Sequence, residues 1–330
     1  MIRLPEDKIR LMDDLGTRGI PFLFVISFDG VEVNVWRSEE ISPGVRFSVP
    51  ALRDTRETQV PYRGDIPFAI YPVTYERYTT AFEKVMHHIR RGDTYLINLT
   101  MPTAIDIPLS LEQIYESSSA PYKILLNDRF VCFSPEIFVR ITDGIISSYP
   151  MKGTIDASIP GAGKKILEDA KELAEHNTII DLIRNDLSMV AERVRVKRYR
   201  YIDRIETNRG PLLQVSSEIE GVMVKDGSRK IGTLMSRILP AGSISGAPKE
   251  KTVEIIVQAE GYDRGFYTGV FGWFDGRNLD SCVMIRFIEK SGAELTYKSG
   301  GGITFMSSAR SEYEELIKKV YVPFAGIHQD

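Results

Sequence analysis

The chain has 330 residues, more than the ~250–300 over which a single hydrophobic core usually grows, so we expect one large domain or two closely packed subdomains. The net charge at pH 7 is only −3, which gives no reason to expect a nucleic acid or another polyanion as a partner. No run of 18 apolar residues and no signal-peptide pattern is present, which predicts a cytoplasmic protein without membrane contact.

Hairpin and helix patterns alternate in the first half of the chain. An Asp29-Gly30 turn separates two apolar runs, and Gly92 follows a segment with apolar residues at helical spacing. In chain order we predict strands over 21–28 and 31–36, irregular connections with short edge strands over 37–70, a helix over 75–91, a strand over 95–103, a short helix over 109–117, and strands over 129–133, 137–141 and 145–149.

The second half of the chain continues in the same manner. We predict helix over 164–187 in one piece or with a kink near 176, strands over 194–205 and 214–224, a helix over 231–238, a turn-rich loop over 239–246, a helix over 248–260, a hairpin of strands 267–274 and 279–288, a strand over 295–297, and a helix over 311–321. Ser245 is expected to cap the helix that starts with Pro248. Runs of antiparallel hairpins with interspersed helices indicate an α+β protein.

A lysine between a proline and a glycine is the first candidate for chemistry. Pro150 is expected to end the strand before it, because proline cannot donate to a ladder, and Gly153 allows close approach of the backbone. Lys152 is either a solvated lysine in a loop or a nucleophile. Glu136 lies at the entrance of the preceding strand, so neighbouring strands would deliver an acid and an amine together.

Two helices each place a pair of carboxylates on one face. Glu172 and Glu175 are three residues apart, as are Glu312 and Glu315, and Lys319 follows the second pair at helical spacing. These residues are either solvated helix faces or, if the two pairs face each other, a site for Mg²⁺, which takes oxygen ligands.

Several residues could hold an anion. Gly300, Gly301 and Gly302 make either a plain turn or a strand end that exposes backbone N–H groups. Arg286 lies in the apolar run 281–288 and would need a carboxylate partner if it is buried. Tyr267, which opens the partner strand, could add a hydroxyl donor.

Other reactive side chains receive simpler interpretations. Cys132 and Cys282 lie in strand-like runs and are expected to be buried apolar residues rather than a disulfide. His87 and His88 project about 100° apart on their helix, so a solvated or packing role is favoured over a shared metal. No serine triad, zinc set or P-loop is recognised. The residues themselves indicate a Mg²⁺-dependent enzyme that acts on a small polycarboxylate.

Six blocks in order resemble the chorismate-utilising enzymes. They are residues 134–136 (SPE), 150–154 (PMKGT), 172–186 (ELAEHNTIIDLIRND), 242–249 (GSISGAPK), 265–286, and 300–319 (GGGITFMSSARSEYEELIKK). The resemblance covers about residues 75–324, and 1–74 look like a shortened form of the family's N-terminal part. It implies a single chorismate-binding catalytic domain over 1–330, with large antiparallel sheets packed on each other and helices outside.

Within this family Lys152 distinguishes the activities. Anthranilate, isochorismate and salicylate synthases usually carry Ala there, whereas the branch that makes 4-amino-4-deoxychorismate, on the route to 4-aminobenzoate and folate, usually carries Lys in P-I-K-G-T. The resemblance therefore implies that Lys152 attacks C2 of chorismate and that Glu136 protonates the departing 4-hydroxyl. Ammonia then adds at C4 and expels the lysine.

The resemblance also implies the binding residues. Glu172, Glu175, Glu312 and Glu315 would form the Mg²⁺ site, with Glu175 and Glu315 as the direct ligands. Lys319 and the backbone of Gly153 and Thr154 would hold the ring carboxylate. The carboxylate of the enolpyruvyl group would be held by Arg286, Tyr267 and the backbone of Gly300, Gly301 and Gly302.

Two positions depart from the family pattern. Leu96 stands where Gln is usual, at the position of the catalytic base of the water-adding members, and Gln214 stands where His is usual. Anthranilate synthase remains the first alternative, and these departures are the only features that favour a degenerate binding or regulatory subunit. The chain has no glutaminase motif, so ammonia is expected from solution or from a separate glutamine amidotransferase subunit.

Overall fold

The computed structural model of the chain describes residues 2–56, 66–207, 210–224 and 227–324. The helices are α1 (Glu6–Thr17), α2 (Tyr75–Arg91), α3 (Leu111–Ser117), α4 (Ala162–Glu168), α5 (Ala170–Ser188), α6 (Ile231–Ile238), α7 (Lys249–Glu260) and α8 (Ala309–Lys318). The first half contains strands β1 (Phe22–Ile26), β2 (Val33–Arg37), β3 (Val45–Ser48), β4 (Ala69–Pro72), β5 (Leu96–Asp106), β6 (Tyr122–Leu126), β7 (Phe130–Ser134), β8 (Ile137–Thr142) and β9 (Ile145–Ser148). The second half contains β10 (Met151–Asp156), β11 (Ala191–Thr207), β12 (Gly210–Met223), β13 (Gly246–Ala247), β14 (Val270–Phe274), β15 (Leu279–Val283), β16 (Phe287–Ser291) and β17 (Glu294–Ile303).

Two antiparallel sheets organise these elements. The first has the order β10-β12-β9-β8-β15-β14-β1-β2, with β11 paired to β12 as a ninth strand. The second has the order β13-β5-β17-β16-β7-β6-β3, with β4 paired to β5. The chain passes from one sheet to the other between β15 and β16. This architecture confirms the α+β prediction.

The core lies between the sheets and beneath the helices. Leu23 and Phe271 of the first sheet share one buried cluster with Phe130 and Phe287 of the second. A larger cluster joins the first sheet to α1, α2, α5, α6 and α7, and a third packs α3 on the second sheet. The run Phe22–Ile26 is buried at every position because both faces of this strand are covered.

Most of the predicted elements are present, and four differ in a way that bears on the site. The helix predicted over 164–187 is two helices, because Asp169 adopts extended backbone and caps α5. Ser245 does not cap α7, since its hydroxyl donates to the carbonyl of Ala241. Lys152 lies on a strand, β10, rather than in a loop. The run 279–288 is two strands.

The split of 279–288 places two site residues differently from the prediction. Arg286 lies in the connection between β15 and β16 and has a positive φ of 55°. Tyr267 lies in a turn before β14. The missed elements are α1, whose sequence EDKIRLMDDLGT is mostly polar, β6, whose apolar run is interrupted by Lys123, and the strands β10 and β13. None of the described helices is both long and apolar enough to cross a bilayer.

Candidate active site

Lys152 stands on a bulged edge of the first sheet. Along β10 the partner of Met151 is Ser216 and the partner of Thr154 is Gln214, so β10 has one extra residue between the two pairs. Gly153 lies within this bulge and has a φ of +80°, a conformation that glycine adopts without strain. The bulge interrupts the regular pairing of β10 with β12 at Lys152. The Lys152 side chain keeps 23% of its exposure.

Helix α5 brings the first carboxylate pair to Lys152. The Lys152 amine is 3.8 Å from the nearer oxygen of Glu175, which is an ion-pair distance but too long for a hydrogen bond. Glu172 lies over Gly153, where a Cβ would come within 2.9 Å of its carboxylate. Gly153 is therefore needed both for its positive φ and for the space that Glu172 occupies.

The glycines of β17 form the opposite side of the site. A Cβ on Gly302 would lie 3.5 Å from the Lys152 amine. A Cβ on Gly301 would lie 3.6 Å from each of three atoms, which belong to Glu312, Glu315 and Lys319. The absence of side chains here leaves a space that is bordered by the nucleophile candidate and by the second carboxylate pair.

Lys319 connects α8 to the same strand. Its amine is 2.7 Å from a Glu315 oxygen and donates to the carbonyl of Gly300 at 2.9 Å. Glu312 is buried, and Glu315 is half exposed. The carboxylate pair of α8 thus borders the glycine strand, and the pair of α5 borders Gly153 and Lys152.

Glu136 follows β7 and shares a small cavity of about 80 Å³ with Lys152 and Ser243. Burial raises the pKa of its carboxyl, whereas the Ser243 hydroxyl and the charges of Lys152 and Lys319 oppose that rise. Ser243 donates to one carboxyl oxygen of Glu136 at 2.5 Å. The raised pKa favours a protonated Glu136, as a general acid requires.

Arg286 and Tyr267 lie near the junction of the two sheets. Arg286 donates to the carbonyl of Lys319 at 3.1 Å, and its guanidinium lies 4.6 Å from the ring centroid of Tyr321. Tyr267 is buried against Phe287, with ring centroids 6.0 Å apart. Burial raises the pKa of Tyr267 far above its usual value, so its hydroxyl is a donor. Arg286 contributes to the charge around Glu136.

The sequence interpretation missed two residues in the wall of the site and one buried histidine beside a predicted carboxylate. Ser243 and Asp186 line the cavity of Glu136 and Lys152. His176, next to Glu175, is fully buried, and its Nε2 is 2.7 Å from the Ser217 hydroxyl. Burial lowers its pKa to about 4, with Arg200 and Lys152 as smaller causes. The only sequence signal for His176 was its position next to Glu175.

The carboxylates fit a Mg²⁺ ion that keeps some of its waters. In the described residues no three His, Cys, Asp or Glu side chains are close enough to form a complete protein cage. The carboxylates of Glu312 and Glu315 lie beside the open space over Gly301, and those of Glu172 and Glu175 lie beside Gly153 and Lys152. Mg²⁺ typically takes one or two carboxylates together with waters and the substrate, which is what this arrangement offers.

The other reactive side chains lie outside this cavity. His87 is exposed, and His88 pairs with Asp93 at 2.8 Å, in agreement with the solvated or packing role. Cys132 and Cys282 are free and buried, as predicted.

Comparisons with known proteins agree on one family. A sequence profile of the chorismate binding enzymes matches residues 52–324. A Haemophilus influenzae protein described as uncharacterized and PabA-like is 48% identical over 312 residues, covering 94% of both chains. Component 1 of aminodeoxychorismate synthase from Bacillus subtilis is 29% identical over 95% of this chain and 72% of its own length.

A solved structure shows the same fold. The menaquinone-specific isochorismate synthase MenF from Escherichia coli superposes with a TM-score of 0.70 at 16% identity, over 94% of this chain and 79% of its own. At that identity the likeness concerns the architecture alone. Because the family profile spans most of the sequence and the fold agrees with it, this chain belongs to the chorismate binding enzymes.

Proposed function

We propose that the protein is component I of an aminodeoxychorismate synthase, which converts chorismate and ammonia into 4-amino-4-deoxychorismate and water on the route to 4-aminobenzoate and folate. The observation that carries this proposal is the shared cavity of Lys152 and Glu136, an amine and a carboxyl of raised pKa. An amine nucleophile needs a leaving group that is protonated as it departs, and these two side chains can supply both functions.

In the first step the neutral Lys152 amine attacks C2 of chorismate. The new C2–N bond pushes the two ring double bonds along the ring, and the C4–O bond breaks. Glu136 gives its proton to the departing hydroxyl, which leaves as water. Glu175, 3.8 Å away, stabilises the positive charge that develops on the lysine nitrogen.

In the second step ammonia adds at C4. The double bonds shift back, the C2–N bond breaks, and its electron pair returns to Lys152 as the free amine. The ammonium formed at C4 loses one proton, which restores the acid form of Glu136. The balance is chorismate plus ammonia to 4-amino-4-deoxychorismate plus water, without an oxidant or a reductant.

The anionic groups of the substrate require cationic and backbone donors. Lys319 and the backbone of Gly153 and Thr154 would hold the ring carboxylate. Arg286, Tyr267 and the backbone of Gly300, Gly301 and Gly302 would hold the enolpyruvyl carboxylate. Mg²⁺, held by Glu175 and Glu315 with support from Glu172 and Glu312, would supply positive charge that neutralises the bound carboxylate.

Ammonia has to reach this site from outside the chain. We propose that a separate glutamine amidotransferase subunit supplies it in the cell, in a cytoplasmic complex. The purified chain alone should use ammonium chloride but not glutamine. Glutamine-dependent turnover by the pure chain would contradict this part of the proposal.

Mass spectrometry of the product is the decisive experiment. Chorismate, Mg²⁺ and ammonium at alkaline pH should give 4-amino-4-deoxychorismate as the first product. Anthranilate as the direct product would assign the chain to anthranilate synthase instead. A chain that binds chorismate without any turnover would support the degenerate subunit that Leu96 and Gln214 favour.

A further inference from the structure

A buried ion pair lies behind the acid Glu136 and has no part in the chemistry above. The amine of Lys249 is 2.7 Å from one oxygen of Asp186, and the two side chains keep only 19% and 12% of their exposure. Removing two charges from water costs free energy that a close pair only partly returns. Such a pair therefore needs an explanation other than stability.

Three helices meet at this pair. Asp186 belongs to the last turn of α5, and Lys249 is the first residue of α7. The Lys249 amine also donates to the carbonyl of Ile238, the last residue of α6, at 2.7 Å. The segment between α6 and α7, which carries Ser243, is thus anchored at both of its ends by one lysine.

Asp186 holds the middle of the same segment. The backbone N–H of Gly242 donates to its carboxylate. A Cβ on Gly242 would lie 3.1 Å from the second oxygen of Asp186, so a side chain at this position would crowd the carboxylate. The next residue is Ser243, whose hydroxyl donates to Glu136. Asp186 and Glu136 are therefore joined through two consecutive residues of a 3₁₀ turn, Gly242–Ile244.

The Ser243 contact involves one oxygen of Glu136. The Ser243 hydroxyl donates to Oε1, which leaves Oε2 available to carry the proton of the neutral acid. Several other groups also face this carboxyl, and each is fixed by a different element: Lys152 on β10, Lys319 at the end of α8, Arg286 between the sheets, and Cys282 on β15. Among these groups, Ser243 is the neutral hydrogen-bond donor whose position depends on the turn.

We propose that Asp186 and Lys249 are positioning residues for the acid Glu136, because they fix through Gly242 the turn from which Ser243 donates to it. This inference rests on the acid role of Glu136 in the proposed function. If the turn relaxes, Ser243 moves away, the carboxylate form of Glu136 loses its donor, and the pKa of the carboxyl rises further.

The test replaces the pair by apolar side chains of similar size, Asp186→Leu with Lys249→Met. A buried ion pair can often be exchanged in this way without loss of stability, so the double variant is expected to fold. The rate of chorismate consumption with ammonium should fall about tenfold to a hundredfold, as for loss of one hydrogen bond to a charged group. The limb of the pH profile that falls with rising pH should move to higher pH, as in Ser243→Ala.

Combining the double variant with Ser243→Ala tests whether Asp186 and Lys249 act on Glu136 through Ser243. In a Ser243→Ala background the double variant should cause little further change in rate or pH profile, because the contact it acts through is already absent. Multiplicative effects, or an unchanged pH profile, would overturn the proposal. Asp181→Asn is the matched control, since it removes the same charge from α5 at an exposed pair with Arg184, and it should leave the profile unchanged.

Failure of the proposed function can be told apart from failure of this inference. Chorismate consumption is measured whatever the product is, and product identity is determined separately. If the parent chain consumes no chorismate, crystal structures of the parent and the double variant still test the inference through the Ser243–Glu136 distance. A retained distance of about 2.5 Å in the double variant would contradict it. Should the double variant fail to fold, Asp186→Asn is measured in the same way.

Discussion

Two buried groups of charges in this protein are satisfied in very different ways. In the core, Arg264 and Glu260 form a bidentate pair at 2.6 and 2.8 Å, and their side chains are 2% and 1% exposed. Thr100 donates to Glu260 twice, and Arg264 also donates to the carbonyls of Ile244 and Asn98. At the candidate active site, the Lys152 amine has a single ion-pair partner among the described residues, at 3.8 Å.

The difference indicates what each region is for. The core pair has its hydrogen-bonding capacity occupied by fixed protein atoms, which is the arrangement that makes a buried charge tolerable. The amine of Lys152 lies beside the glycines of β17, which have no side chains to contact it. A lysine held in this way can form a bond to a ligand without first breaking a strong contact. The core group should therefore govern stability, and the site group should govern rate.

The largest effect is expected at Lys152. Lys152→Ala should abolish nearly all formation of aminodeoxychorismate, a loss of several powers of ten at about 1.4 kcal/mol of barrier each. The free energy of unfolding should change little, because the ion pair of the Lys152 amine with Glu175, at 3.8 Å, is too long for a hydrogen bond. Since this change recreates the Ala of anthranilate synthases, a trace of anthranilate is expected by mass spectrometry.

Lys152→Arg separates a nucleophile from a lysine that only supplies charge. Arginine keeps the charge but cannot be deprotonated to attack. An arginine variant that keeps a tenth or more of the parent activity would rule out covalent catalysis by Lys152.

The next effect concerns Glu136. Glu136→Gln should lower the rate of chorismate consumption about 10²–10⁴-fold, as expected for loss of a general acid. Burial raises the pKa of Glu136, so the parent should stay active to higher pH than an ordinary carboxyl would allow and lose activity as Glu136 ionises. The pH profile of Glu136→Gln should not show this loss of activity at high pH. If the variant still shows it, the loss belongs to the ionisation of another group.

Within the core, Glu260→Gln should act on stability. It leaves Arg264 buried without its counter-charge, and the free energy of unfolding should fall by about 3–5 kcal/mol in denaturant titrations. Glu314→Gln is the matched control, because Glu314 pairs with Arg310 at 2.7 Å on the exposed face of α8 and should change stability by only about 0.3–0.5 kcal/mol. Equal effects of the two changes would contradict the comparison.

The sequence specifies local structure and the chemical groups of the site better than their arrangement. Helix α2 has the predicted bounds because its apolar spacing and the αL conformation of Gly92 are local features. The run 279–288 was predicted as one strand because an apolar run does not show where it passes between sheets. Its split depends on the packing of β15 and β16 against different partners.

The same limit applies to the site. Lys152 and Glu136 became candidates from local signals, a flanking glycine and a strand entrance, and the family resemblance predicted their roles. Ser243 and Asp186 act through contacts with Glu136 and Gly242, at separations of 107 and 56 residues, which no local pattern reveals. The carboxylate pairs were visible as helical spacing, but their approach to the glycine strand depends on how α5 and α8 pack.

The smallest expected effect tests His176, a fully buried residue next to Glu175 in the chain. Burial lowers its pKa to about 4 in the folded chain, whereas an unfolded histidine titrates near 6.5. The unfolded state therefore binds more protons between these values, and the free energy of unfolding should decrease as the pH falls from about 6.5 to about 4, by about 3 kcal/mol at the end of that range.

Other groups also titrate there, so the measurement is the difference between parent and His176→Gln in urea titrations at pH 7 and 4.5. The glutamine variant should lose 2–3 kcal/mol less than the parent between these pH values, by about the same arithmetic. His87→Gln, on the exposed face of α2, is the matched control for removing a histidine. If parent and His176→Gln lose the same stability, burial does not hold His176 neutral.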